Sequence, residues 1–256
     1  MSMTTAPAFE QTPKPEHFRV YSGKLWRIVE AQHRISTNRL AAGAEDQALL
    51  ERLADDVKPN MPVAARDLHY LLATPFRYGH KSSSRFRRVG EKPGIFYAAE
   101  TIDTAIAETA YWRLRFYSRS PEAQPPSTTV EHSAISVSVS MDRMLDLCAQ
   151  PFVGGASLWM SPDDYSACQL FAVEARLIEA QAIRYASVRD PQHRANVALF
   201  DASVFHDREP RNAQTWHFRY ERGELTAFGA FPSNDRFSFR PSDFGLSARR
   251  PVAGRG

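Results

Sequence analysis

The chain has 256 residues, 43% of them hydrophobic, and its 32 basic and 29 acidic residues give a formal net charge of +3. This length and composition suit one globular domain with a sizeable core, and they exclude a wholly disordered chain. The nearly balanced charge argues against a dedicated nucleic-acid-binding or membrane-surface protein, although it is compatible with a local basic patch.

The first part of the chain predicts a flexible lead-in, a strand and two helices. Residues 1–17 are rich in Pro and Thr and are expected to be flexible. The sequence KLWRIVE, residues 24–30, is typical of a strand. Residues 46–57 and 63–73 carry apolar side chains at helical spacing, and the second helix is expected to stop before Pro75.

The stretch GIFYAAETIDTAIAETAYWR, residues 94–113, predicts a strand near 95–99 followed by a helix from about Asp103. Thr101 or Asp103 is the expected N-cap, since both side chains can accept a hydrogen bond from a free helix N–H group. Residues 118–132 are rich in Pro and Ser, and we expect a surface insertion there.

A strand and a further helix are predicted in the next part of the chain. The sequence SAISVSVS, residues 133–140, alternates apolar residues with serine, which predicts a strand with one buried face. Ser161 and Pro162 occupy the N-cap and first position of a helix that we expect to run to about residue 179.

Residues 182–190 and 197–205 predict two more strands, and residues 233–256, polar and basic, predict a flexible tail. The folded domain is therefore expected to span residues 18–232. Because strands and helices are interspersed without regular βαβ repeats, the sequence predicts an α+β fold with a single mixed domain.

Signals for disulfides, targeting and metal binding are weak. Cys148 and Cys168 stand far apart without a CxxC pair, so neither a disulfide framework nor a thiolate zinc site is expected. The N-terminal residues lack the apolar segment of a secretory signal, and no run of about 18 apolar residues predicts a membrane span. We therefore expect a soluble, cytoplasmic protein.

Four residues in largely apolar surroundings could carry chemistry. Arg27 points to an apolar side of its strand in either orientation, and a buried guanidinium needs an anion. Alternatively, a core carboxylate or carbonyl oxygens of the fold could satisfy it. Glu108 lies in an alanine-rich helix, where an isolated acid more often faces solvent. Tyr97 and Ser187 lie on predicted strands and are also compatible with ordinary packing.

The loop SSSRFRRVG places Arg85, Arg87 and Arg88 beside a run of serines. This arrangement suits phosphate binding but is weak evidence alone. The chain contains no GxGxxG, GxxxxGK[ST], HExxH or GxSxG motif, and its eight histidines show no metal-ligand spacing, so no metal is expected.

The order of these segments resembles the RES domain, a family named for its Arg, Glu and Ser residues. The resemblance covers roughly residues 20–205 and rests on LWRIV, SRFRRVGEKPGIFYAAETIDTAIAE, YASVRD and RANVALF. Its middle segment is the most specific part. Carried over position by position, the matching residues are Arg27 for the family arginine, Arg85 and Phe86 for its small loop, Tyr97 for its strand tyrosine, Glu108 for its glutamate and Ser187 for its serine.

RES proteins are known as the toxins of RES–Xre toxin–antitoxin modules, and they consume NAD. The resemblance therefore implies an enzyme that acts on NAD+ without a metal, and an Xre-type helix-turn-helix antitoxin as partner. It also implies a fold like that of ADP-ribosyltransferase toxins, with helices packed around a central, mostly antiparallel sheet.

The resemblance also implies a role for each matching residue. Arg27 and Arg85 would hold the NAD diphosphate, Tyr97 would position the nicotinamide or ribose, and Ser187 would form a hydrogen bond nearby. Glu108 would oppose the positive charge that develops as the nicotinamide–ribose bond breaks. Arg27, Glu108 and Tyr97 are thus the expected catalytic residues.

Several readings stay open at this point. The acceptor could be inorganic phosphate or water, which we favour, or a protein side chain, as in an ADP-ribosyltransferase. A toxin that binds or cleaves nucleic acid through the RFRR patch is a further alternative, although the near-neutral charge makes direct nucleic-acid binding less favoured. An antitoxin-binding or scaffolding domain that has lost activity is a third, less favoured reading.

Overall fold

The computed structural model describes residues 12–30, 59–78, 82–120, 125–126 and 128–246. Its strands in these ranges are β1 (Arg19–Glu30), β2 (Phe96–Ala99), β3 (Val130–Asp146), β4 (Ala182–Ala186), β5 (Ala195–Leu199), β6 (Arg211–Glu221), β7 (Glu224–Gly229) and β8 (Arg236–Phe239). Its α-helices in the same ranges are α1 (Tyr70–Arg77), α2 (Ile102–Arg119), α3 (Ala156–Trp159) and α4 (Ser166–Leu177). The helix predicted over 46–57 lies outside the described residues, as do residues 1–11 of the predicted lead-in.

All described strands belong to one sheet in the order β1-β2-β5-β4-β3-β6-β7-β8, and β1 also pairs with β3. Only the β3–β4 pair is parallel within the described residues, which confirms the predicted α+β class and mostly antiparallel sheet. Because β1 pairs with both β2 and β3, the first five strands of this order close on themselves. Strands β6, β7 and β8 extend the sheet away from this closed part.

The long strand β3 organises both parts of the sheet. One edge of β3 pairs with β1 over most of its length. Its other edge pairs with β6 through residues 130–136 and with β4 through residues 144–146. The predicted strand over 133–140 is confirmed but is longer. Its second face is exposed only towards the end of this segment, because Ala134 and Ser136 are buried whereas Ser140 is exposed.

Helix α1 differs from the prediction for residues 63–73. That segment forms a short 3-10 turn, Val63–Ala65, and the α-helix begins only at Tyr70 and passes through Pro75. A long-range contact explains the break, because the backbone N–H of His69 donates to the carbonyl oxygen of Arg208 and holds His69 in an extended conformation. His69 then caps the new helix, its Nδ1 accepting from the N–H of Leu71 at 3.3 Å.

Helix α2 begins where its capping residue predicts. Thr101 is the N-cap, and its hydroxyl oxygen accepts from the N–H of Thr104 at 3.3 Å. The helix runs to Arg119 and β3 starts at Val130, so the surface insertion predicted over 118–132 is shorter than expected. The preceding strand near 95–99 is confirmed as β2.

The helix predicted from Ser161 is shorter than expected, since α4 begins at Ser166. The hydroxyl of Ser161 does accept from the N–H of Asp164 at 3.2 Å, as a capping residue would. However, the carbonyl oxygen of Pro162 accepts from the guanidinium of Arg189 and is thereby drawn out of a helical ladder. A contact across the fold therefore delays the start of the helix.

The remaining predicted strands are confirmed in part. Strand β4 ends at Ala186, so Ser187 follows the strand instead of lying within it. Strand β5 ends at Leu199 and is followed by a 3-10 turn, Ala202–Val204. The predicted tail begins too early, because β8 pairs with β7 and buries Phe239 against the residues that α2 covers.

Helices cover the sheet on both faces and leave room for a cavity. Helix α2 packs through Ile106, Ala110 and Leu114 against β3, β6 and β7. Helix α1 packs through Phe76 against β2, and α4 through Phe171 against the β3–β4–β5 part of the sheet. The site described next lies where α2 faces β1, β2 and β5.

Candidate active site

A cavity of about 1040 Å³ is lined by residues of β1, β2, β5, α2 and the loop around residues 84–87. Small-molecule sites typically measure about 300–1,000 Å³, so the space is sufficient for a dinucleotide. Five arginines and two glutamates line it in the described part of the chain: Arg27, Arg85, Arg87, Arg113, Arg189, Glu30 and Glu108. The wall is therefore net positive and suits an anionic ligand.

Glu108 is half-buried in the wall, and two neutral donors fix one of its oxygens. Ser187 Oγ donates to Glu108 Oε1 at 2.7 Å, and Asn196 Nδ2 donates to the same atom at 2.6 Å. Within the described residues no donor reaches Oε2. The carboxylate is thus held in one orientation while half of its hydrogen-bonding capacity stays unused.

Ser187 is completely buried and connects Glu108 to the chain that follows β4. Its Oγ accepts from the backbone N–H groups of Arg189 and Asp190, at 3.2 and 3.1 Å. Asp190 in turn accepts from Thr104 Oγ1 at 2.7 Å, near the start of α2. The first turn of α2 and the segment after β4 are therefore tied together, and this fixes Glu108 one turn further along the helix.

Arg27 projects from β1 into the same cavity. Its guanidinium lies 5.0 Å from the centroid of the Phe96 ring. Its Nη1 is buried and has no hydrogen-bond partner in the part of the chain that the structure describes. Burial lowers the pKa of Arg27, and no carboxylate among the described residues offsets this effect. The site thus contains a desolvated cation that is ready to meet an anion.

Tyr97 links β2 to the basic loop. Its hydroxyl accepts from the backbone N–H of Phe86 at 3.2 Å and shares a hydrogen bond with Ser84 Oγ at 2.9 Å. Burial raises the pKa of Tyr97 above its usual value, so the phenol stays neutral near pH 7. The hydroxyl of Tyr97 is thus engaged in holding the loop, while the residue lines the cavity.

The two loop arginines that line the cavity are held differently. Arg85 donates through Nη1 to the carbonyl oxygen of Trp159 at 2.6 Å, and its guanidinium lies over the ring of Tyr165. Arg87 is 4% exposed and donates only weakly, through Nη2 to the carbonyl oxygen of Ser82 at 3.2 Å. Its buried Nε has no partner among the described residues. Arg87 therefore has more of its donors free than Arg85.

A second charged group lies further along the cavity. Arg113 Nη1 donates to Glu30 Oε2 at 3.3 Å and to His132 Nε2 at 3.1 Å. Arginine can only donate, so Nε2 of His132 is the acceptor and its Nδ1 carries the proton that faces the carbonyl oxygen of Val130. Burial, and then the charge of Arg113, lower the pKa of His132, so its ring is neutral.

The structure brings four of the five predicted site residues to the cavity wall. These are Arg27, Arg85, Tyr97 and Glu108. Ser187 does not line the cavity, because it lies behind Glu108 with no exposed surface. Its geometry is that of a positioning residue, whereas the resemblance predicted contact with the nucleotide. The chemical roles of all five remain predictions.

Asn196, Arg113 and His132 were not assigned to a site from the sequence, and Arg87 was noted only as part of the basic loop. The sequence does contain a signal for Asn196. It is the polar residue in a strand whose other positions, Ala195 and 197–199, are apolar and buried, and a polar residue there indicates a buried hydrogen-bond partner. Arg113 and His132 had none, because their contact depends on the packing of α2 against β3.

The family model of the RES domain matches residues 61–221. The chain belongs to the RES domain family. The matched part of this RES-domain protein contains Arg85, Tyr97, Glu108 and Ser187. Arg27 lies before it and reaches the cavity through the pairing of β1 with β3.

Among solved structures, one chain of the M. tuberculosis MbcT–MbcA toxin–antitoxin complex is similar to this RES-domain protein, at 13% sequence identity. The match has a TM-score of 0.44 and covers 79% of this chain and 87% of that chain. This similarity is too weak to transfer residue positions. No curated protein matches the chain.

Within the described residues, no three or more His, Cys, Asp or Glu side chains come close enough together to hold a metal ion. Of the helices in the same ranges, none is long and apolar enough to cross a membrane.

Proposed function

We propose that this RES-domain protein is the toxin of a toxin–antitoxin pair and that it consumes NAD+ by breaking the nicotinamide–ribose bond. The observation that carries the proposal is that one cavity holds a fixed carboxylate together with arginines whose guanidinium groups have no carboxylate partner among the described residues. Within the described residues, Glu108 is oriented by Ser187 and Asn196 while its Oε2 accepts no hydrogen bond, and Arg27 and Arg87 line the same cavity, each with one buried nitrogen that has no partner.

The arginines suit the diphosphate of NAD+. A guanidinium can donate two parallel hydrogen bonds to a phosphate group, and a diphosphate offers several acceptor oxygens. A buried cation without a partner costs free energy, and a bound anion offsets that cost. Arg27 and Arg87 would therefore make their strongest contacts only when the ligand is bound, with Arg85 completing the positive wall.

Glu108 suits the bond-breaking step. As the bond between nicotinamide nitrogen and ribose C1′ breaks, both bonding electrons leave with the nicotinamide, which becomes neutral. Positive charge then develops on C1′ and the ring oxygen of the ribose. A fixed carboxylate lowers the energy of such an oxocarbenium-like state without having to reorganise. An acceptor oxygen then forms the new bond to C1′.

The residues around Glu108 support this role indirectly. Ser187 and Asn196 hold the carboxylate in place, and Tyr97 holds the loop that carries Arg85 and Arg87. Tyr97 in this account contributes position and ring contact, since its hydroxyl is engaged with Ser84 and the backbone N–H of Phe86. The reaction requires no metal.

The acceptor that we favour is inorganic phosphate or water. Transfer to a cellular protein is the alternative, and the reaction products distinguish phosphate, water and protein as acceptors.

A toxin that acts on nucleic acid is less well supported. Arg85 and Arg87 are only 9% and 4% exposed, and Arg88 alone of the three loop arginines is exposed. The proposal includes action in the cytoplasm and an antitoxin partner of the Xre type.

The purified protein should release nicotinamide when incubated with NAD+. The reaction is run with and without inorganic phosphate and with cell lysate, and the products are followed by mass spectrometry. Release that depends on phosphate indicates phosphorolysis, release without it indicates hydrolysis, and label transfer to protein indicates ADP-ribosylation. Absence of nicotinamide release under all three conditions would contradict the proposal.

The toxin assignment has its own test. Expression of the chain alone should arrest growth and lower cellular NAD+, and co-expression of the cognate antitoxin should restore both. Growth arrest with unchanged cellular NAD+ would separate toxicity from NAD+ consumption and would leave the proposed chemistry without support.

A further inference from the structure

The group formed by Arg113, Glu30 and His132 is displaced from Glu108 along helix α2 and from Arg27 along strand β1. Arg113 follows Glu108 by five residues on α2, which is about 7.5 Å along the helix axis. Glu30 pairs with His132 across β1 and β3, and it follows Arg27 by three residues, about 10 Å along the strand. Both walls of the cavity therefore run from the Glu108–Arg27 end to an outer end at Arg113.

The guanidinium of Arg113 has an unused edge. Both of its described hydrogen bonds are made by Nη1. Its Nε is buried and has no partner among the described residues, and the side chain is only 17% exposed. The edge formed by Nε and Nη2 is one of the two edges that bind a phosphate or carboxylate with two parallel hydrogen bonds. The Nε and Nη2 donors of Arg113 thus indicate a binding position for an oxyanion.

The partners of Arg113 fix its orientation without cancelling its charge. His132 is 2% exposed and neutral, so it accepts one hydrogen bond and adds no negative charge. Glu30 is 61% exposed, and an ion pair with a solvent-exposed carboxylate is weak because water and salt screen it. Arg113 therefore keeps most of its positive charge available to a ligand.

The wall beyond Arg113 is aromatic. Phe116 and Tyr117, on the next turn of α2, also line the cavity. Aromatic rings are the side chains on which nucleobases stack. An arginine that can bind an oxyanion, followed by aromatic rings, suits a nucleoside phosphate.

We propose that Arg113, oriented by His132, binds the adenosine-side phosphate of a dinucleotide and so makes the site select dinucleotides over mononucleotides. The inference rests on the proposed function, because it places the nicotinamide ribose at Glu108. The diphosphate is the part of NAD+ that follows this ribose, and the adenosine follows the diphosphate. The ligand thus runs outward along α2, from Glu108 to Phe116.

The test measures binding in a Glu108→Gln background, in which turnover is slow. Nicotinamide mononucleotide shares the nicotinamide, ribose and first phosphate with NAD+ but lacks the second phosphate and the adenosine. Adding Arg113→Gln should weaken NAD+ binding about 10- to 100-fold, the loss expected for a charged hydrogen-bonded contact. It should leave the affinity for the mononucleotide unchanged. Isothermal calorimetry gives both dissociation constants.

Arg115→Gln is the matched control, because Arg115 is on the same helix but lies over the Trp112 ring and does not line the cavity. It should change neither affinity. Equal weakening of both ligands by Arg113→Gln, or no weakening of either, would overturn the inference.

His132→Phe tests the positioning role. It should weaken NAD+ binding about tenfold when Arg113 is present and should have no further effect in the Arg113→Gln variant, because both changes remove the same contact. Additive effects of the two substitutions would show that His132 acts independently of Arg113 and would contradict its assigned role.

Failure of the proposed function can be distinguished from failure of this inference. If wild-type protein releases no nicotinamide, ADP is used as the probe, because it carries the adenosine and both phosphates without the reacting bond. Weaker ADP binding by Arg113→Gln then supports the outer subsite alone. Equal ADP binding by both proteins, or no ADP binding by either, overturns it.

Discussion

The cluster around Arg184 and the cavity around Arg27 both hold charged side chains away from bulk solvent, and they differ in how the charges are paired. Arg184 donates to both oxygens of Glu100, at 2.7 and 2.9 Å, and to Asp146 at 3.3 Å. Tyr21 donates to the same Glu100 at 3.0 Å. Arg27, by contrast, has a buried nitrogen without a partner in the described residues.

The surroundings shift the pKa values of Arg184 and Arg27 in opposite directions. Hydrogen bonding to Glu100 raises the pKa of Arg184, whereas burial lowers the pKa of Arg27. In the first cluster the fold itself supplies the counter-charges, so the cluster contributes to stability. Arg27 has no such counter-charge among the described residues, which is the pattern expected where the missing partner is a ligand. Substitutions in the two regions should therefore have different consequences.

The largest expected effect is on catalysis. Glu108→Gln keeps the size of the side chain but removes its charge, so nicotinamide release from NAD+ should fall about 100- to 1,000-fold, as when a transition-state charge loses its stabiliser. The melting temperature should change little, because Gln can still accept from Ser187 and Asn196. Initial rates by chromatography and a thermal melt measure the two quantities. Activity that falls together with the melting temperature would indicate a structural role instead.

The second prediction compares the two arginines by stability. Arg184→Met leaves Glu100 and Asp146 half-buried without a cation, and it should lower the free energy of unfolding by about 1–3 kcal/mol. Arg27→Met removes a partly buried cation that has no ion-pair partner among the described residues, and the free energy of unfolding should be unchanged or higher. Urea denaturation of both variants gives the comparison. A destabilised Arg27→Met protein would show that Arg27 is satisfied by the fold.

The third prediction separates the two donors to Glu108. Asn196→Ala should lower kcat about tenfold, the effect of one lost positioning hydrogen bond, with a small change in stability. Ser187→Ala should lower kcat similarly and also lower the melting temperature, because the N–H groups of Arg189 and Asp190 lose their acceptor. Equal melting temperatures for the two variants would contradict the structural part of the Ser187 role.

The smallest expected effect is a pH dependence of stability. The pKa of His132 is lowered from its usual value of 6.5 by burial and by Arg113, with Glu30 and the carbonyl oxygen of Val130 acting in the opposite direction. Below pH 6.5 the unfolded chain therefore takes up a proton that the folded protein does not. The free energy of unfolding should fall as the pH drops through 6.5, by at most about 1.4 kcal/mol per pH unit, and should level off below the pKa of His132 in the folded protein.

His132→Phe should remove this part of the pH dependence. The measurement is the urea midpoint of both proteins between about pH 7.5 and about pH 5.5. Identical pH profiles for the two proteins would mean that His132 does not titrate differently in the folded state.

The fold was predictable where local signals and long-range contacts agree. Strand β2 and the start of α2 follow from residues next to each other in sequence, since Thr101 caps the helix that it precedes. The helices predicted from residues 63 and 161 begin later because contacts across the fold intervene. The backbone of His69 bonds to Arg208, and the Pro162 carbonyl accepts from Arg189.

The site was predictable in its residue types but not in their contacts. Arg27, Arg85, Tyr97 and Glu108 were assigned from the resemblance of the motifs, and all four line one cavity. The hydrogen bonds to Glu108 come from residues 79 and 88 positions away, and the registers of β4 and β5 bring them there. Those registers depend on the folded sheet.

The most direct test of the proposed chemistry is the rate of nicotinamide release from NAD+ by the wild type, Arg27→Met and Arg184→Met, measured side by side at a temperature where all three are folded. We expect release by the wild type and Arg184→Met, and a kcat/KM at least about tenfold lower for Arg27→Met. Wild-type rates for Arg27→Met would contradict the role of Arg27 as a ligand-binding cation, and a wild-type protein that releases no nicotinamide would contradict the chemistry itself.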